Sequence, residues 1–226
     1  MGRRWIEVFG RLGLLITRSV VIGLVVFQWS FAESLGATAE SGHFALALKF
    51  IEFINDEGKP WVEQSEVQSM LRSINEIFSR CNVSFYLGKY ETIHPRLKGL
   101  SHSPQSLDEM KNFRSPFSDP HHLVIIHTAA WNHDYVGPAH AWTAMPGDSP
   151  LGVVIDGRVG KFAGIIAHEL GHYLNLYHVK NDTNVMNPII YKRSKDLTQA
   201  QCNSIRQAAL AYHQSALKRE GKIRKL

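Results

Sequence analysis

Cysteine is scarce in this chain, which has only Cys81 and Cys202 among its 226 residues. Two thiols cannot supply the four ligands of an all-cysteine zinc site, so that kind of metal centre is excluded. In an oxidising compartment the two cysteines could form a disulfide. The alternative is a pair of buried free thiols, and both interpretations stay open at this point.

An uncharged apolar run long enough to cross a bilayer is also missing. The run over 20–29 has about ten residues, follows several arginines and is too short for a membrane span. Ser30-Phe31-Ala32 then provides small residues for cleavage after Ala32. We predict a signal peptide over 1–32, with a membrane anchor as the alternative, and a flexible lead over 33–42. The protein is expected to be secreted or periplasmic, and to meet a membrane only if the segment stays uncleaved.

Positive charge is not spread along the chain, although the formal net charge is +5. Residues 1–32 hold four arginines and one acid, and the last nine residues hold five basic residues and one acid. The part between them is slightly acidic and has no basic stripe with interleaved aromatics, so we predict no nucleic-acid partner. Residues 218–226 are expected to be a solvated basic C-terminal tail.

Hydrophobic periodicity predicts five strands and three main helices. The strands are expected at 43–53, 82–93, 123–127, 139–145 and 152–156, and the helices at 62–80, 161–176 and 198–218. Residues 94–120 are rich in Pro, Ser, His and Asp, and are expected to form a long surface loop with a short helix near 106–112. This order suits one α/β (α+β) domain over 43–217, with a twisted mixed sheet packed against helices.

The helix over 161–176 carries a pattern typical of zinc hydrolases. His168 and His172 are four residues apart, so their side chains leave adjacent turns on the same face. Glu169 follows the first histidine, where a general base for a metal-activated water is expected. The opposite face of the helix is apolar, which predicts a central, buried helix whose histidines need polar partners such as a shared zinc ion.

The third zinc ligand lies further along the chain. A catalytic zinc takes three protein ligands and leaves one position for water. In one class of zinc peptidases the third ligand is a downstream glutamate, but no glutamate lies between Leu170 and Arg219. His178 follows His172 by six residues, which is the spacing of the HExxHxxGxxH pattern. We therefore predict one catalytic Zn²⁺ on His168, His172 and His178.

A methionine turn follows the histidine pattern. Met186 lies eight residues after His178, within Asn184-Val185-Met186-Asn187-Pro188. With the histidines, this segment resembles the Met-turn of the metzincin metallopeptidases, in which a methionine lies beneath the zinc ligands. The resemblance is specific over 168–188 and extends in element order over about 43–217. It implies a zincin-like fold whose central active-site helix is followed by the Met-turn.

The chain departs from the metzincin pattern at several positions. Asn175 stands where the family has glycine, and we interpret it as a substitute because asparagine also tolerates positive φ. Val179, directly after the third histidine, matches none of the common subfamilies, so no subfamily is assigned. Tyr191 lies further on than the tyrosine ligand of astacin-like members, and we interpret it as a residue of the cleft.

The resemblance also implies where substrate binds. The segment Ala139, His140, Ala141 and Trp142 resembles the matrixin edge strand, which adds an extended substrate to the sheet. Pro188, Ile189 and Tyr191 are expected to shape the pocket beyond the scissile bond. The matrixin structural-zinc spacing is not met after His140, and no cysteine-switch motif is present. Calcium could bind in the loops, but no ligand pattern supports it. His127 and His133 are interpreted as structural histidines.

These features predict a zinc-dependent endopeptidase whose partner is a peptide or protein substrate. Glu169 is expected to take a proton from the attacking water and deliver it to the leaving amine. Two alternatives remain: a zinc hydrolase acting on a non-protein or cell-wall substrate, and a non-catalytic zincin-like binding or effector protein. The intact Glu169 argues against a non-catalytic role.

Overall fold

Five strands form one mixed sheet in the order β2-β1-β3-β5-β4. A computed structural model describes residues 42–223, so the predicted signal peptide, nearly all of the flexible lead and the last three residues lie outside the described residues. The strands are β1 (Phe44–Phe53), β2 (Val83–Ile93), β3 (Leu123–Thr128), β4 (Ala141–Thr143) and β5 (Val153–Asp156). Neighbouring strands run parallel except β4, which is antiparallel to β5.

Three of the helices are longer than ten residues, as the periodicity predicts. The helices are α1 (Gln64–Phe78), α2 (Met110–Arg114), α3 (His133–Val136), α4 (Ala163–Tyr173) and α5 (Gln199–Ile223). The last helix runs five residues beyond the predicted end at Lys218, so the first part of the predicted tail has a helical backbone. Within residues 42–223, none of the helices is both long enough and apolar enough to cross a membrane.

One face of the sheet packs against α1 and α4. α1 begins with a reciprocal pair of hydrogen bonds between Glu63 and Glu66, which satisfies backbone N–H groups at its first turn. Its apolar stripe and the apolar side of α4 are buried with alternate residues of the central strands in one cluster. α4 also contacts β4 at the edge of the sheet, so the predicted active-site helix is central to this layer.

The other face of the sheet is covered by the segment 94–120. Met110, Phe113 and Phe117 from this segment are buried against Ile51, Phe53, Val124, Ile126 and Val154 of the strands. The segment carries the predicted short helix as α2, but the expectation of a surface loop is wrong for its second half, because three apolar residues at helical spacing are buried there. The second half of segment 94–120 is therefore part of the core.

A disulfide joins the two cysteines. Cys81 lies just after α1 and Cys202 lies in the first turns of α5, 121 residues apart in sequence. Both side chains are buried, at 2% and 3% exposure. The bridge fastens the C-terminal helix to the end of α1, and closing a loop of this length restricts the unfolded chain.

Candidate metal centre

The candidate site begins on α4, which holds His168 and His172 on adjacent turns. Their rings meet edge to face with centroids 4.7 Å apart. His168 is 3% exposed, so it is buried on a helix whose surroundings are otherwise apolar. A buried imidazole needs a polar partner on each ring nitrogen, and the helix itself offers none.

Asn175 ends the helical segment and turns the chain back. Its φ is +68°, in the left-handed region that glycine favours and asparagine tolerates. The N–H of Asn175 donates to the carbonyl of His172 at 2.9 Å, and the N–H of Leu176 donates to the carbonyl of Gly171 at 2.9 Å. This C-terminal cap has the backbone conformation that was predicted for Asn175, and it directs the chain so that His178 returns to the other two histidines.

The three histidines converge through the same ring atom. The Nε2 atoms of His168, His172 and His178 are 3.0–3.1 Å apart in all three pairs. Four ligands around an ion with bonds of 2.0–2.1 Å would stand about 3.3 Å apart. The observed triangle is within a few tenths of an ångström of that spacing.

The hydrogen bonds of the Nδ1 atoms determine which ring nitrogens carry protons. Nδ1 of His168 lies 2.7 Å from the carbonyl oxygen of Val185, and Nδ1 of His172 lies 2.8 Å from the carbonyl oxygen of Leu176. A carbonyl only accepts, so each Nδ1 donates and each Nε2 of these two residues presents a lone pair. His178 brings a third Nε2 to the same point, so the residues fit a divalent cation at the centre of the triangle.

Burial keeps these imidazoles neutral. It lowers the pKa of His168 to about 4, against the hydrogen bond to Val185, and it also lowers the pKa of His172 and of His178. Neutral imidazole is the form that binds a metal ion. All three rings are therefore in the neutral form at neutral pH.

The turn after His178 supports the site from below. Met186 is fully buried, and the N–H of Met186 donates to the side-chain oxygen of Asn184 at 2.9 Å. A Cβ atom added to Gly171 would lie 2.3 Å from the sulfur of Met186, so only glycine allows this approach. The same turn provides the Val185 carbonyl that orients His168. The turn therefore packs its methionine against α4 and positions one of the three imidazoles.

Glu169 is the acid beside the histidines. Its side chain is 6% exposed, and the hydroxyl of Thr143 on β4 donates to its Oε2 atom. Burial raises the pKa of Glu169 to about 7, and the hydrogen bond from Thr143 opposes that shift. A carboxyl group in this environment gains or loses a proton at little cost near neutral pH.

A cavity of about 510 Å³ runs along the histidines and the edge strand. Its lining contains Glu169, the three histidines, and six of the seven predicted substrate-binding residues, namely Ala139, His140, Ala141, Trp142, Pro188 and Ile189. The seventh, Tyr191, is not among the lining residues. Its ring lies under the guanidinium of Arg193, 4.5 Å from the ring centroid.

A second histidine cluster borders the cavity. His133 Nε2 and His140 Nδ1 lie 3.5 and 3.2 Å from Oδ2 of the buried Asp156. Arg158 already binds this carboxylate, with its Nη2 atom 2.7 Å from that oxygen, 2.6 Å from His133 Nε2 and 2.6 Å from the Trp131 carbonyl. Burial would raise the pKa of Asp156, but hydrogen bonds from Arg158 outweigh it and lower the pKa. The guanidinium of Arg158 is therefore the cation that neutralises the carboxylate of this cluster.

Two residues of the site were not predicted from the sequence. Gly171 lies inside the histidine pattern, where the only signal was a glycine within a helix. Thr143 follows the predicted edge-strand motif directly, but a threonine in a strand is ordinary and gave no signal. Its contact with Glu169 depends on how β4 and α4 pack together, which no local pattern contains.

The fold has counterparts among solved structures. A mutant of promirolysin from Tannerella forsythia matches with a TM-score of 0.57 and 14% sequence identity, over 81% of this chain and 85% of that one. Metalloproteinase-II from Bacteroides fragilis matches with a TM-score of 0.48 and 14% identity, over 75% of this chain and 55% of that one, so this chain spans just over half of its length. No family model and no curated protein matches the chain. The likeness to promirolysin is one of fold alone, and it confirms the predicted zincin-like fold.

Proposed function

We propose that this protein is a zinc-dependent endopeptidase of the metzincin type, with His168, His172 and His178 as zinc ligands and Glu169 as general base. The observation that carries the proposal is the Nε2 triangle, with separations of 3.0–3.1 Å and with backbone carbonyls on two of the outer nitrogens. Nitrogen lone pairs directed at one point repel one another unless a cation lies between them. A zinc ion bound there would supply Lewis acidity, lowering the pKa of a water molecule and polarising a carbonyl group.

Glu169 performs the proton transfers in this proposal. Thr143 holds Oε2, which leaves Oε1 to take the proton of the attacking water. Oε1 then gives that proton to the leaving amine as the peptide bond breaks. Burial disfavours the ionised carboxylate, so it makes this group a stronger acceptor for the proton of water.

The edge strand β4 supports a peptide as the substrate. Within residues 42–223, β4 has a neighbouring strand on one side only, so its other edge can pair with an extended peptide. The adjoining cavity has apolar residues open to solvent, with Trp142 and Ile189 at 42% and 64% exposure. Backbone pairing positions the chain of the substrate, and apolar contacts at the cavity select its side chains.

The test is a Glu169→Gln substitution in the full-length protein. The variant should bind zinc as the parent does and lose about 10²–10⁴-fold in the rate of peptide cleavage, because glutamine cannot take up the proton. Glu76→Gln, on the exposed side of α1, makes the same chemical change and should leave both properties unchanged. Zinc content and cleavage of a peptide library, with and without a chelator, are the measurements.

Full activity in Glu169→Gln would exclude the mechanism, and a parent protein without zinc would exclude the site. Cleavage of peptidoglycan but of no peptide would identify the alternative, a cell-wall hydrolase. Zinc binding with no hydrolysis of either substrate would favour a binding or effector protein.

A further inference from the structure

Two other histidines lie beside an aspartate where the first two strands leave the sheet. β1 and β2 run parallel with Phe53 opposite Ile93, so the segments that follow start side by side. The N–H of Ile54 continues the pairing by donating to the carbonyl of Ile93 at 3.0 Å. This register brings Asp56, in the turn after β1, next to His94, the first residue after β2.

His102 completes the group from the segment that follows. Its carbonyl accepts the N–H of Ala129 at 2.8 Å, which fixes it beside the end of β3. The rings of His94 and His102 meet edge to face with centroids 5.0 Å apart. The corresponding distance for His168 and His172 is 4.7 Å, also edge to face.

The polar atoms of this group face one another without bonding. Oδ1 of Asp56 lies 3.8 Å from Nε2 of His94 and 3.7 Å from Nε2 of His102, and all three atoms lie within 4.8 Å of one another. These distances are too long for hydrogen bonds. The Nε2 atom of His102 is buried and has no hydrogen-bond partner among residues 42–223. A buried polar atom in this state is costly and calls for a partner.

Within residues 42–223, this group differs from the cluster at Asp156 because no arginine or lysine is paired with its carboxylate. The carboxylate side chain is 82% exposed and sits on a turn, so it can move by the few tenths of an ångström that separate 3.7 Å from the spacing around a bound ion. That spacing is about 3.3 Å for tetrahedral bonds of 2.0–2.1 Å.

We propose that Asp56, His94 and His102 form a second metal site, for a divalent first-row transition ion such as Zn²⁺. Two imidazoles and one carboxylate are a usual ligand set for such ions, and water fills the fourth position. Calcium is disfavoured because it takes oxygen ligands in larger number. This site is separate from the three-histidine site and does not rest on the proposed peptidase activity.

The ion would join two chain segments at the carboxyl ends of β1 and β2. Asp56 belongs to the turn after β1, and His94 and His102 belong to the start of the segment 94–120. Further along, that segment is held on the second face of the sheet by Met110, Phe113 and Phe117. The metal site fastens its other end, so its main effect is on the stability of the domain and on the order of residues 94–102.

The first test counts zinc in the full-length protein after saturation and removal of free metal. The parent should hold two zinc ions per chain and His102→Gln should hold one, with peptide cleavage retained. His213→Gln, an exposed histidine on α5, is the matched control and should hold two. If His102→Gln folds poorly, Asp56→Asn serves in its place, because that side chain is largely exposed, and it should lower affinity at this site about 10-fold or more.

A parent whose zinc count is the same as that of His102→Gln would overturn the proposal. So would a second zinc that survives in both His102→Gln and Asp56→Asn. Loss of the second zinc in His133→Gln instead would locate it in the cluster at Asp156.

A second test uses a variant in which the three-histidine site is disabled. In a His168→Gln background, added zinc should raise Tm by about 5 °C through the second site alone. In the His168→Gln, His102→Gln double variant the rise should vanish, while the two metal-free proteins melt alike. An equal rise in both proteins would exclude the site. This readout does not involve hydrolysis, so its failure is distinct from a failure of the proposed function.

Discussion

Two histidine clusters border the same cavity and differ in what lies at their centre. His168, His172 and His178 direct three Nε2 atoms to one point, with backbone carbonyls on two of the outer nitrogens. At the cluster of His133 and His140, the guanidinium of a nearby arginine already contacts the buried carboxylate and the ring of His133. Histidines close together therefore indicate a metal site only when the protein supplies no cation of its own.

The largest difference in zinc affinity is expected when one imidazole is removed from each cluster. His168→Gln should lower zinc affinity at the three-histidine site by more than about 100-fold, because the loss of even an outer partner of a ligand costs 10–100-fold. Peptide cleavage should disappear with the metal. His133→Gln should leave zinc affinity unchanged. A zinc competition titration and a cleavage assay give both values, and equal effects of the two substitutions would show that the clusters do not differ in this way.

A second substitution should turn the cluster at Asp156 into a metal site. Arg158→Ala removes the guanidinium and leaves His133, His140 and Asp156 around an open centre. Asp156 is fully buried, so its carboxylate then favours another cation strongly. The variant should bind one zinc ion more per chain than the parent, measured by metal analysis.

The control is Arg193→Ala, which breaks an exposed ion pair with Asp182 and should leave the zinc count unchanged. An Arg158→Ala protein that folds and gains no zinc would mean that the two histidines and the carboxylate are not arranged as ligands.

The two clusters also differ in how far the sequence predicts them. His168, His172 and His178 lie within eleven residues, so helical spacing and one bend determine their geometry. The cluster at Asp156 depends on sheet pairing, since the N–H of Asp156 donates to the carbonyl of His140 at 2.9 Å. Strand order and register are long-range properties, and periodicity finds strands without saying which of them pair.

The same limit explains the rest of the fold. The strands and the three long helices follow the predicted spans within a few residues, because each is defined by its own apolar pattern. The segment that covers the second face of the sheet was expected to be a surface loop with a short helix, because its mostly polar composition outweighed the helical spacing of Met110 and Phe113. The approach of Asp56 to His94 likewise arises only from the parallel register of β1 and β2.

The smallest expected effect concerns the bend that delivers His178. Asn175→Ala should destabilise the domain by about 1 kcal/mol, since a side chain without a local hydrogen bond is strained at φ +68°. Asn175→Gly should be nearly neutral, because glycine adopts this conformation freely. Urea unfolding of the metal-free proteins measures both changes.

Asn82 is the matched control for Asn175. It also has positive φ, at +54°, and lies far along the chain from the histidines. Asn82→Ala should cost a similar free energy of unfolding and leave zinc affinity unchanged. Asn175→Ala should weaken zinc binding as well, since a distorted bend displaces the third Nε2 atom from the triangle. If both alanine variants bind zinc as the parent does, the bend contributes to stability alone, and the position of His178 is set by the packing of the turn around Met186.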